Sequence, residues 1–315
     1  MSSDWSSDVC SSDLALFAGV SKGADEVSKF LERNKVNRVI LLSDGLANVG
    51  PDSPMALGSL GESLRRTGIS VSTIGLGLGY NEDLMVALAE RSDGNHAFVE
   101  NYRDLTRIFQ YEFRDILSVV AQDVEIEIIC DERIVPRRIL GRNAEIIGNR
   151  VYTSLNQLYS KQEKYLLLEL DIPPFQEGEQ LHAARVNITY NNMGTFRNDS
   201  VNGTASVSFT GSKQVVEESK DRETLVDAVK QIATERSEEA ISLRDKGQVE
   251  EAQRMLEANS QFLLEEAEEL ASPELEGLGQ SVQSDAAVIE DDTEWNSNRK
   301  RMKKESYEVQ NQQSY

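Results

Sequence analysis

The strongest constraint on this chain is a change of rhythm near residue 121. Before it, short apolar runs alternate with amphipathic stretches. Leu16, Val20, Ala24, Val27, Phe30 and Leu31 keep helical spacing over about 15–33. Arg38 to Ser43 contains Val-Ile-Leu-Leu, a continuous apolar run of buried-strand type. A second amphipathic helix is expected over about 54–67, stopped by Gly68. Ile69 to Gly75 reads as a second strand, and Gly77 and Gly79 make the next turn. Asn81 or a near neighbour caps a helix through about Arg91. Asn95 to Val99 is a third strand, followed by a helix from about Tyr102 to Val120. An α-β-α-β-α-β-α order with short connections predicts a parallel sheet covered by helices on both faces.

After residue 121 the period drops to two. Val124 to Ile128, Ala184 to Tyr190 and Thr204 to Phe209 alternate apolar and polar residues. Arg150 to Ser154 and Tyr165 to Leu170 lie between them, with turns at Gly141, Gly148, Gly178 and Gly194. This predicts an antiparallel β-sandwich over about 121–212. Helical spacing returns with Leu225, Val229, Ile232 and Ala240, breaks at Gly247, and resumes with Ala252, Leu256 and Leu263. A helical hairpin over 213–273 follows. Gly247 with Glu251-Ala252 resembles one tetratricopeptide-style repeat. Residues 221–297 hold 21 acidic and six basic side chains, and residues 298–315 hold five basic and two acidic ones. Residues 274–315 are therefore expected to be an acidic and then basic solvated tail. The basic run Arg299 to Lys304 suits either an acidic partner or the chain's own acidic hairpin.

A formal charge of −21 disfavours generic nucleic-acid binding and anionic membrane surfaces. Cys10 and Cys130 are the only cysteines, too few for a zinc ribbon, an iron–sulfur cluster or a disulfide framework. Cys130, beside Ile128 and Ile129, reads as a buried small hydrophobe. No segment approaches the roughly 18 apolar residues of a membrane-spanning helix.

Residues 1–14 repeat Ser-Ser-Asp at Ser2, Ser6 and Ser11. The string resembles translated sequencing-adapter DNA joined to a truncated gene, so residues 1–14 are expected to be an artefactual leader. Trp5 and Cys10 carry no functional argument.

Val39-Ile-Leu-Leu-Ser-Asp-Gly-Leu-Ala-Asn-Val-Gly-Pro51 resembles the central strand and loop of a von Willebrand factor type A domain. Ile69 to Gly77, Asn81 to Ala89 and Gly94 to Val99 continue the resemblance in order, which covers about 15–118. The chain resembles in particular the bacterial type A-domain proteins labelled calcium-activated chloride channel homologues. The resemblance implies an α/β fold. It would be a truncated, doubly wound, Rossmann-like parallel sheet over 15–120, then the β-sandwich and the C-terminal helical hairpin. It also implies a metal-ion-dependent adhesion site for Mg²⁺ or another divalent cation at the carboxyl end of the sheet. Asp44 matches the family's third-loop Asp. The Asp-x-Ser-x-Ser motif of the first loop is not matched in a strand–loop context. Asp8, Ser11 and Ser12 have the wrong spacing, and Leu14 stands where the second-loop Thr belongs. Asp44 is thus the one remaining ligand, and this chain is not expected to bind the ion.

The expected function is a non-enzymatic interaction module with a protein ligand. The rival is a hydrolase or nucleotide-dependent enzyme using the Gly75–Gly79 loop and His96. Gly75-Leu-Gly-Leu-Gly79 lacks the Gly-x-Gly-x-x-Gly spacing and a following Walker lysine, and no Gly-x-Ser-x-Gly elbow accompanies His96. His182 has no carboxylate at local spacing. The family resemblance favours a periplasmic or cell-envelope location over a cytoplasmic one.

Overall fold

In the computed structural model, the described residues are 16–32, 35–45, 50–100, 102–142 and 144–313. The expected leader at 1–14 and residues 46–49 of the Val39–Pro51 motif lie outside them. The chain divides into two compact units, residues 1–105 and 106–315.

The first unit is built as the alternation predicts. Helix α1 (Leu16–Ser28) leads to strand β1 (Asn37–Ser43), α2 (Pro54–Arg66), β2 (Ile69–Leu76), α3 (Glu82–Ser92) and β3 (His96–Val99). The strands pair in parallel in the order β1-β2-β3, with Ser43 opposite Gly75 and Thr73 opposite His96. Strand β2 is buried along nearly its whole length, whereas β1 is half-buried. In β2, Ser70, Ser72 and Thr73 are all buried. Their hydroxyls are satisfied, as burial demands. Arg38 Nε donates to Ser70, the Asn95 amide donates to Ser72, and Thr73 donates to the Met85 carbonyl at 3.1 Å. Ser53 caps α2 ahead of Pro54, and Asn81 caps α3. The core gathers Leu16, Val20, Leu57, Val71, Leu84 and Leu88.

The expected helix over 102–120, which runs across the division at residue 105, is shorter. A 3-10 turn (Tyr102–Asp104) leads into α4 (Leu105–Leu117), and β4 (Val119–Cys130) starts two residues later. An expected boundary at 120/121 therefore falls inside a strand. Strands β5 (Val135–Leu140), β6 (Glu145–Ile147), β7 (Arg150–Tyr159), β8 (Leu167–Asp171), β9 (Gln180–Asn192) and β10 (Arg197–Ser208) follow. A five-stranded antiparallel sheet, β10-β9-β4-β7-β6, faces the pair β5-β8. Ile128, Cys130, Val151, Leu181 and Ala183 from the large sheet pack with Ile139, Leu168 and Leu170 from the small one. This is the expected sandwich, with Cys130 buried in it.

Helices α5 (Lys213–Glu218), α6 (Arg222–Asp245) and α7 (Val249–Glu269) form the next segment, and Gly247 turns between the last two at φ +81°. The expected tail beyond 273 is instead two further helices, α8 (Pro273–Val288) and α9 (Asp292–Gln310). Leu275, Val282, Ala286, Ile289 and Met302 join Ala233, Ile241, Leu256 and Leu263 in one core. The basic run is spent inside the chain. Arg299 holds Asp245 at 2.7 Å, Arg301 pairs with Asp285, and Arg244 reaches Asp292. Carbonyls at the end of α9 are capped by Gln231 (to Val309, 2.9 Å), Gln162 (to Gln312, 3.3 Å) and Lys164 (to Asn311). A cation at a helix C-terminus also meets the negative end of the helix dipole.

Candidate functional site

The carboxyl ends of β1 and β2 bring together Ser43-Asp44-Gly45 and the Gly75–Gly79 turn. Ser43 is buried and donates its hydroxyl to the Gly45 carbonyl at 3.1 Å. Asp44 is exposed. A Cβ at Gly79 would lie 2.6 Å from the Asp44 carbonyl oxygen, so the turn can rest on the end of β1 only because residue 79 is glycine. Gly77 has φ +64° and donates its amide to the Val99 carbonyl at 2.8 Å. A Cβ at Gly75 would fall within 2.5 Å of the Tyr80 ring.

The glycines thus answer to a tight turn and two close approaches. Tyr80, 1% exposed, covers Gly75 and sits 6.3 Å from the His96 ring and 5.8 Å from the Phe98 ring. His96 is fully buried at the start of β3, not at the carboxyl end of the sheet. Its Nδ1 lies 2.8 Å from Thr73 Oγ1, whose own hydrogen goes to Met85. Nδ1 is therefore the donor in that pair. A histidine buried at the start of a strand is set apart from the loops at the carboxyl end of the sheet. Asn81 accepts the Leu84 amide at 3.2 Å, and Glu82 and Asp83 occupy the first turn of α3, where acids complement the helix dipole. His182 sits on β9, with Nδ1 2.8 Å from Ser206 Oγ.

Among the described residues, the donor set at the sheet end does not make a Mg²⁺ site: Asp44 supplies one carboxylate and Ser43 one hydroxyl oxygen, and no group of three His, Cys, Asp or Glu could hold an ion. Small hard cations need several oxygens in near-octahedral array.

No family model matches the chain. It is 32% identical over 112 residues to the uncharacterized protein YfbK of Escherichia coli (strain K12), a match covering 35% of this chain and 20% of that protein. The chain thus spans a small part of that relative's length. It superposes on a von Willebrand factor type A protein from Catenulispora acidiphila with a TM-score of 0.67 at 13% identity, over 94% of this chain and 69% of the other. The fold is of the von Willebrand factor type A kind. The ArnB paralog VWA2 from Sulfolobus acidocaldarius agrees, with a TM-score of 0.56 at 17% identity over 95% of this chain and 69% of the other. Both superpositions run through the type A sheet, the sandwich and the C-terminal helices. At these identities they speak for fold alone.

Proposed function

We propose that this chain is a non-enzymatic protein-interaction module that presents the carboxyl end of its type A sheet to a protein ligand. The observation that carries the reading is Asp44, exposed at the end of β1 and backed by Gly79. Ligands of doubly wound sheets bind beyond the strand ends. In this reading the divalent ion belongs to complete family sites, and here the loops act through their own surface. The enzymatic rival would need a base open to substrate, and the burial of His96 against Thr73 favours the non-enzymatic reading. A cell-envelope location is part of the proposal. No helix among the described residues is long and apolar enough to cross a membrane.

A thermal-shift series with Mg²⁺, Mn²⁺, Ca²⁺ and nucleotides tests it. Millimolar metal should leave the melting temperature unchanged, in the native chain and in Asp44→Ala alike. A ligand at 100 times its dissociation constant stabilises by about 2.7 kcal/mol, so real binding would be visible. A rise with Mg²⁺ that vanishes in Asp44→Ala would overturn the account of the donor set. A rise with a nucleotide would overturn the non-enzymatic reading.

A further inference from the structure

Strand β10 is the outermost strand of the large sheet, and among the described residues no strand pairs its other edge. It is 12 residues long and exposed at almost every position. Long, open edges are templates for pairing, and proteins guard them with lysine, proline, inward charge, bulges or a covering element. This edge has few guards. It contains no lysine or proline, its only charges are Arg197 and Asp199 at one end, and its one irregularity is a bulge at Ala205/Ser206.

We infer that β10 pairs with β10 of a second copy of this chain, antiparallel about a two-fold axis at Val201. The regular stretch before the bulge is Arg197 to Ala205, and Val201 is its midpoint. Placing the axis there sets Val201 opposite its own counterpart, Ser200 opposite Asn202, Asp199 opposite Gly203, Asn198 opposite Thr204 and Arg197 opposite Ala205. No like charges meet. A parallel, in-register pairing would stack Arg197 on Arg197 and Asp199 on Asp199, which is unfavourable.

The two faces of the strand agree with this register. Val201 is 53% exposed and stands opposite Ile188 in the β9 ladder, while Gly203 stands opposite Val186. Both are partly buried, Val186 against the sandwich core and Ile188 against a second apolar cluster with Val124 and Leu155. The Val201–Val201 contact would carry that apolar face across the axis. On the other face, Asn198, Ser200, Asn202 and Thr204 present amides and hydroxyls to one another.

Charge selects this surface over others. The chain carries −21, which drives copies apart. Residues 180–208, the whole β9–β10 hairpin, carry only Arg185, Arg197 and Asp199 as full charges. Two copies meeting here bring together a nearly neutral patch, and added salt screens the repulsion between the rest. An isologous contact through one strand is small, so the dimer belongs to the weak class.

The test is the mass in solution of the full chain by sedimentation or light scattering, from about 5 to 200 µM, at 0.15 and 0.5 M NaCl. The expected result is a rise toward twice the monomer mass, stronger at the higher salt. Val201→Lys would place two ammonium groups face to face on the axis and should weaken the dimer at least tenfold. Val201 is exposed, so the variant keeps its fold, and an unchanged far-ultraviolet circular dichroism spectrum verifies this. Val201→Thr, still β-branched, should stay close to the native dimer. A chain monomeric at 200 µM in both salts overturns the inference. So does a dimer that Val201→Lys leaves intact. Neither outcome touches the reading of the Asp44 site.

Discussion

Asp285→Asn should make the protein more stable at neutral pH while changing little in acid. Asp285 lies on α8, 3% exposed, beside a cavity of 30 Å³ shared with Thr234 and Ser237 of α6 and with Met302, Glu305 and Ser306 of α9. Burial pushes its carboxyl up to about 6 from an ordinary 3.8, and the nearby Arg301 guanidinium only partly opposes this. The folded state therefore prefers the protonated acid. Its stabilising contribution is complete below pH 3.8 and is lost as the pH rises through 6. A displacement of about two units corresponds to about 3 kcal/mol, taken as an upper bound. Asparagine fixes the neutral form, so the variant should gain between about 1 and 3 kcal/mol at pH 7.5 and only about a third of that at pH 4.5. The opposing effect is a broken buried ion pair, which costs about 3–5 kcal/mol when it strands the partner charge. Arg301 is not stranded. It keeps Glu305 and Asn298 at 2.7 Å each, and its side chain is 37% exposed. Urea unfolding followed by Trp295 fluorescence reports on this bundle, because Trp295 packs against its core with Arg244 5.2 Å over the ring. Trp5, the only other tryptophan, is replaced by Phe in both proteins. A loss of more than about 1 kcal/mol at pH 7.5, matched at pH 4.5, would show that the ion pair outweighs desolvation.

Two glycines of α2 should respond oppositely to alanine. At Gly61 a Cβ would come within 2.7 Å of the Leu88 carbonyl oxygen and 3.1 Å of the Ser92 amide, both backbone atoms of α3, so Gly61→Ala should cost about 1–3 kcal/mol in thermal unfolding. At Gly58 the nearest atom is the flexible Arg91 Cγ at 3.3 Å, so Gly58→Ala should be neutral, or stabilise by up to about 1 kcal/mol through helix propensity. Asn81→Ala should remove the cap on the Leu84 amide and cost about 1 kcal/mol, read as a lower melting temperature with unchanged spectra.

The parallel sheet was legible because short strand-like runs alternate with amphipathic helical stretches across brief glycine- or asparagine-bearing turns. The caps at Asn81 and the turn at Gly247 were legible because those positions require particular residue types. Strand β5 was not, since Val-Pro-Arg-Arg-Ile-Leu carries no clean alternation. Its arginines are placed by partners far along the chain, Arg138 by Glu169 and Glu235. The same blindness turned α8 and α9 into an expected tail. In α9 the apolar anchors are few, and much of what holds it is ion pairs to Asp245 and Asp285, 54 and 16 residues away. Charge balance between distant segments leaves no local period, so an acidic run followed by a basic one reads as solvated chain. His96 shows the limit in the other direction. Its sequence surroundings admit a base, and only the register that sets it opposite Thr73 removes it from solvent.

What remains at the sheet end follows from the glycines. Gly75 yields its space to Tyr80, Gly77 supplies a left-handed turn, and Gly79 lets that turn lie against the Asp44 carbonyl. Each has a steric reason, so none needs a phosphate to account for it. Together they pin the backbone at residue 44 while leaving the carboxylate in water. With its backbone held, Asp44 would leave only its own side-chain rotamers to be ordered when a ligand arrives. The burial of His96 and the exposure of Asp44 therefore point the same way. In the proposed reading, the strand interiors of the first unit are spent on stability, and a protein ligand would meet the loops at the carboxyl ends of β1 and β2.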